Sequence, residues 1–209
     1  MNNDNKKPRE TAMNKIVSLY QKTVDYLHHA DGLPLLALRL YLAPIFWIAG
    51  TNKLAHFDDI VMWFEHGLAL PFPWLMAALA TWTEIIGAVL LMAGMGIRLI
   101  SIPLTITMLV AIFAVHWPHG WQAIADPGSV APNEHAAEAT KRLNGFLGWL
   151  KSNHPGRYHY ITEFGKPVIL NNGIEFAATY LLMLLVLFFQ GAGRYVSLDY
   201  YMERKLLKK

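Results

Sequence analysis

The chain contains no cysteine. Disulfides, thiolate metal sites and Cys-x-x-Cys redox pairs are therefore excluded as working parts of it. Charge is also scarce: Asp, Glu, Lys and Arg make up 16% of the 209 residues, where soluble domains carry about 25%. No phosphate-cradling glycine loop, Ser–His–Asp spacing, nucleic-acid module, repeat or low-complexity segment is present. What fills the chain instead is apolar surface. Hydrophobic residues account for 54% and the mean hydropathy is +0.27. The net charge of +3 does not argue for nucleic acid, because the basic residues collect mostly at the two termini, where membrane proteins mark their cytoplasmic side.

The apolar residues fall into four runs. These are 34–54 (PLLALRLYLAPIFWIAGTNKL), 73–93 (PWLMAALATWTEIIGAVLLMA), 97–117 (IRLISIPLTITMLVAIFAVHW) and 173–190 (GIEFAATYLLMLLVLFFQ). About 20 helical residues cross the roughly 30 Å hydrocarbon core. The expectation is an all-α integral membrane protein, a four-transmembrane-helix bundle. Pro44 and Pro103 lie inside runs, where each is expected to kink its helix. Lys6, Lys7, Arg9, Lys15 and Lys22 precede the first run. Arg98 sits between the second and third, and Arg194, Arg204, Lys205, Lys208 and Lys209 follow the fourth. The connection 56–72 has no Lys or Arg. Both termini are thus expected in the cytoplasm.

Outside the runs, residues 1–10 read as an unstructured tail. Met13, Ile16, Tyr20, Val24 and Leu27 stripe one face of an N-terminal amphipathic helix that lies on the membrane surface. A cleaved signal peptide is not expected. Asp58 is placed to cap a short interfacial helix, and Asn133 to cap a helix running to about Lys151. The second of these predicts a periplasmic helical cap over the bundle. Gly191 and Gly193 end the last run, and Ser197-Leu-Asp199 starts a short basic helix. The division is 1–32 for the tail and interfacial helix, 33–193 for the membrane domain with an outer insert at 118–171, and 194–209 for the basic C-terminal segment.

Charge within these runs is the functional signal. A charged side chain at mid-bilayer costs about 2.5–3.5 kcal/mol on insertion scales, and residues kept there face one another or a polar cavity. Arg39, Lys53, Glu84, His116 and Glu175 are the candidates for a ligand or proton site. Each has a structural alternative. Arg39 either reaches toward Glu84 or snorkels to the headgroups; Glu84 is either a site acid or a carboxyl bonded to a neighbouring helix; Glu175 either joins the site or pairs with Lys53 or caps its helix. His116 and His119 invite a copper or zinc reading, with His56 and His66 on the same side. Yet Pro118 breaks their helical spacing, and an interfacial aromatic belt explains that stretch better. No catalytic residue is assigned.

Taken together these segments resemble the DoxX family of small four-span membrane proteins. The resemblance rests on RLYLAPIFWIAGTNKL, on TEIIGAVLLMAGMGIR and on Glu175 in the last run. NKLAHFDD, GLPFPWLMAALA, VHWPHGW, ILNNGIEFAATY and GAGRYVSLDYY are further similar to an HvfX-like branch, which is linked to maturation of copper-binding modified peptides, the bufferins. The long outer insert departs from plain DoxX proteins. The resemblance implies Arg39, Lys53, Glu84 and Glu175 as the charged site, with His116 from the narrower branch. It also implies, through the membrane subunit of thiosulfate:quinone oxidoreductase, electron transfer to quinone. Three readings stand open: a quinone-linked subunit assisting peptide maturation, a non-catalytic scaffold or export helper for the modifying enzymes or the peptide, and a copper-binding or transport protein.

Overall fold

The computed structural model describes residues 7–28 and 30–206. Among them the secondary structure is helical, with no strand and one isolated antiparallel bridge between Ile124 and Leu170. The helices are α1 (Lys7–His28), α2 (Gly32–Ala55), α3 (Phe57–Met62), α4 (Pro73–Ala93), α5 (Ile97–Val110), α6 (Ala136–Asn153), α7 (Pro155–Thr162), α8 (Glu175–Gln190) and α9 (Leu198–Leu206). α3 runs into a π turn at Trp63–Gly67. α5 runs into a second at Ala111–His116, then a 3-10 turn at Trp117–His119.

α2, α4, α5 and α8 pack as a closed ring, α2 on α4, α4 on α5, α5 on α8 and α8 back on α2. The core between them is Leu42, Phe46, Leu91, Leu104, Leu184 and their neighbours. Close approach of α2 and α4 depends on Gly50, where an added Cβ would stand 2.7 Å from Ile85 Cγ1 and 3.1 Å from Glu84 Cβ. The outward faces are apolar as well: Trp47, Ile48, Val89, Leu99, Ile102 and Leu182 are all exposed. A soluble protein does not leave such a belt in water. A bilayer is its natural solvent.

Among the described residues three helices are long and apolar enough to cross a membrane. They lie in Met13–Ala55, Pro73–Ala93 and Ile97–His119. The fourth expected span is a shorter apolar helix of 16 residues, about 24 Å at 1.5 Å per residue. Its expected first residue, Gly173, belongs instead to a backbone ladder. There Asn171, Gly173, Ile174 and Glu175 donate to the carbonyls of Ala123, Gln122, Gly120 and Trp121. Pairing with the insert consumes the residues that would have lengthened the helix.

The bundle has two ends. Gly94–Gly96 and the segment 191–199 form the turn end, and residues 56–72 and 118–174 form the insert end. At the insert end two expectations change. α6 begins at Ala136, not at an Asn133 cap, because the Asn133 side chain bonds the His119 carbonyl. α6 and α7 pack chiefly on each other rather than over the bundle. α3 forms where expected, but without a side-chain cap from Asp58. At the N-terminus, α1 already starts at Lys7, inside the stretch expected to be unstructured. Residues 1–6 of that stretch lie outside the described residues. From Met13 onward its side chains are exposed, except for the half-buried Val24 of the apolar stripe.

Candidate functional site

α2 carries Arg39 and Lys53 fourteen residues apart, about 21 Å along the axis. The two cations therefore serve opposite ends. Lys53 meets the middle of the antiparallel α4, where its Nζ donates to Glu84 Oε2 at 2.6 Å. Glu84 is almost fully buried and Lys53 about a quarter exposed. This buried pair forms at one wall of an apolar cavity of about 520 Å³.

The cavity is lined by α2, α4, α5, the α3 region and Tyr180 of α8. Its walls are mainly Ile45, Phe46, Leu70, Met76, Leu79 and Ile106, with Lys53, Glu84, Thr83, Thr107, Tyr180 and His116 as its polar members. Both π turns contribute, through Trp63 and Phe64 on one side and Ala111, Val115 and His116 on the other. A π turn adds a residue to a helical turn and re-aims the side chains around it, which is why it recurs at functional sites. The turn at 111–116 delivers His116 to the cavity. Its Nδ1 lies 2.8 Å from the Asn172 carbonyl. A carbonyl only accepts, so Nδ1 carries a proton, and in the neutral ring Nε2 is left bare.

Arg39 goes elsewhere. It is fully buried at the turn end, where Nη2 donates to the carbonyls of Tyr195 at 2.9 Å and Val196 at 3.0 Å. Nε and Nη1 have no partner among the described residues. Gly94, at φ +64°, leaves the guanidinium its room: a Cβ there would collide with Nη1. Asp199 completes this end by accepting from the amides of Gly96 at 2.7 Å and Ile97 at 3.0 Å, so it caps α5. Ser197 accepts from the Tyr200 amide and caps α9. The side chain that was expected to reach toward Glu84 or snorkel instead clasps the C-terminal segment.

Glu175 is also drawn away. Its carboxylate accepts from the Ala123 amide at 3.0 Å and braces the insert. It does not pair with Lys53. Of the five candidates, the structure thus brings together Lys53, Glu84 and His116, and sends Arg39 and Glu175 to opposite ends. Trp63, Thr107 and Tyr180 were missed, since a π turn and inter-helix rotation carry no sequence signature. Asn172 was missed too, although the NNG tripeptide flags a turn, and its φ of +60° realises one.

The copper candidates are not gathered. Among the described residues no three His, Asp or Glu side chains are grouped as a metal ion requires. His56 and His66 turn Nδ1 back on their own helices, at Asn52 and Met62.

An all-helical protein with membrane-length helices and a buried ion pair at an apolar cavity is the class that fold and site define. Residues 34–117 match the family model described as DoxX, so this part of the chain is a DoxX family domain. The match contains Arg39, Lys53, Glu84 and His116 but ends before Glu175 and α8. No curated protein and no solved structure matches the chain.

Proposed function

We propose that the protein is a multi-pass inner-membrane component that takes a quinone-class molecule from the bilayer into the cavity at Lys53 and Glu84, with both termini cytoplasmic and α8 as a fourth, short span. The observation that carries this reading is the Lys53–Glu84 pair at the wall of a mainly apolar space. Ligand pockets run to about 300–1,000 Å³ and combine apolar walls with a few placed polar groups. This cavity fits that description, and its walls suit an isoprenoid-bearing ring. Lys53 has N–H groups to spare for a ring oxygen, and Glu84 has a second carboxylate oxygen. A quinone, when bound, supplies the capacity to carry two electrons and two protons. The chain's part is to hold the ring, exclude water and offer proton-handling groups at Glu84 and His116. Resemblance to the HvfX-like branch extends the role to maturation of copper-binding modified peptides.

The test is direct. Purified protein in quinone-free nanodiscs is titrated with a short-chain benzoquinone, following Trp fluorescence. The wild type is expected to bind one equivalent. Lys53→Met with Glu84→Leu removes both charges at similar volume, so folding is retained, and affinity is expected to fall about tenfold or more, equivalent to about 1.4 kcal/mol. Unchanged affinity overturns the reading.

One observation favours a scaffold role. On α6 and just beyond α7, Phe146, Trp149 and Phe164 stand in the open, Phe164 at 96% exposure. Phe146→Ser with Trp149→Ser should then abolish peptide maturation in cells while leaving ligand binding intact. Normal maturation in that variant removes the scaffold reading.

A further inference from the structure

The polar groups of the cavity differ in what they can offer. Lys53 and Trp63 carry N–H donors on its wall, and Thr83 and Tyr180 carry hydroxyls that serve either way. Three groups are left as acceptors only. Glu84 commits Oε2 to Lys53, which leaves Oε1. Thr107 spends its hydroxyl proton on the Leu104 carbonyl at 2.8 Å, so toward the cavity it only accepts. His116 spends its Nδ1 proton on the Asn172 carbonyl, so the neutral ring presents a lone pair at Nε2.

We infer that the site prefers a ligand head that donates hydrogen bonds, the reduced aromatic diol (hydroquinone) over the oxidised dione, and that His116 sets the preference. This inference rests on the quinone-class reading above. A dione oxygen has only lone pairs. It satisfies Lys53, but placed against Nε2 it leaves two acceptors facing each other in an apolar space. A diol hydroxyl donates to Nε2 and still accepts from Lys53 through its other oxygen. A site that leaves a buried polar group unmet rejects the wrong analogue strongly, whereas apolar pockets discriminate weakly. Asn172 belongs to the device as a positioning residue. Its carbonyl fixes which ring nitrogen holds the proton, as the partner of a histidine commonly does.

The experiment compares two ligands on one protein. Wild type in nanodiscs is titrated with a short-chain benzoquinol under reducing conditions and with its quinone under oxidising conditions. The quinol is expected to bind about tenfold tighter, one hydrogen bond's worth. His116→Phe should bring the two affinities together, chiefly by weakening the quinol. His116→Gln, which keeps a polar group of similar reach, gives the same comparison should the Phe variant not fold. Nitrogen-15 spectra of the histidine-labelled protein are expected to show His116 as the Nδ1–H tautomer. Equal affinities in wild type, a preference that survives His116→Phe, or an Nε2–H tautomer each overturn the inference while quinone binding itself stands. Failure of wild type to bind either form sinks the quinone-class reading, and this inference with it.

Discussion

The turn end and the cavity each bury a cation from α2, and they treat it in opposite ways. Arg39 is closed in on every side and spends itself on main-chain carbonyls. Lys53 is paired with a carboxylate and borders open volume. A charge packed tightly against backbone can only hold the fold together. A charge pair beside a cavity has donors and acceptors left for a ligand. Burial of charge alone therefore does not mark a site; burial beside unfilled space does.

The largest effect expected from this contrast is at Arg39. Val196 sits at φ +45°, a conformation that is an outlier for a β-branched residue and persists only where surroundings hold it. Arg39→Met keeps most of the volume but orphans two carbonyls, at about 1–3 kcal/mol each. We expect a loss of about 3 kcal/mol, or a fall in melting temperature of about 6–12 °C for a chain of this length. Differential scanning fluorimetry in detergent measures it. Were Arg39 merely a costly buried charge, Met would raise the melting temperature, and the clasp would be refuted.

Next comes Gly94→Ala. Its positive φ costs an L-residue about 1–2 kcal/mol, and the methyl meets the Arg39 guanidinium. About 2 kcal/mol of destabilisation is expected; the φ cost persists beside Arg39→Met while the clash with the guanidinium does not, so the double mutant falls short of additivity by the clash alone. Additive losses would show that Gly94 and Arg39 act separately.

How far the sequence reached follows the same division. The apolar runs located α2, α4 and α5 to within a few residues, because a bilayer-exposed helix must be apolar over its whole length. The 34–117 domain match agrees with the resemblance found in those runs. α8 was expected at 173 and begins at Glu175, since the ladder with 120–123 depends on a pairing distant in sequence. Of the charged candidates, Glu84 stood out as an acid deep inside an apolar run, and Lys53 as one of the charged positions that the resemblance implies. That Lys53 rather than Arg39 faces Glu84 was not legible, because it depends on the register of α2 against α4, which Gly50 sets. Ionisable residues announce that something polar is buried. Which partner each one meets is decided by helix rotation and by turns such as 111–116.

The cavity pair should respond differently from the clasp. Glu84→Gln strands a Lys53 ammonium that is about three-quarters buried. A loss of about 1–2 kcal/mol is expected, softened by access to the cavity. Adding Lys53→Met should restore stability while ligand binding stays lost. No second substitution of this kind can rescue Arg39→Met, since its hydrogen-bond partners are backbone carbonyls. Failure of the double variant to recover would mean that the pair, like Arg39, is a structural lock.

The smallest effect is expected at Glu175, which tests whether the outer candidate belongs to the brace or to the site. Glu175→Gln retains an oxygen to accept from the Ala123 amide and loses only charge assistance and the favourable interaction of a carboxylate with the first turn of α8. About 0.5 kcal/mol is at stake, which should speed hydrogen exchange at the Ala123 amide about twofold and leave ligand affinity unchanged. A folded Glu175→Gln protein that no longer binds ligand would return Glu175 to the binding centre. It would mean that the 120–125 and 169–175 ladder transmits to the cavity through Asn172 and His116, which the same exchange experiment would register as altered protection on both sides of that ladder.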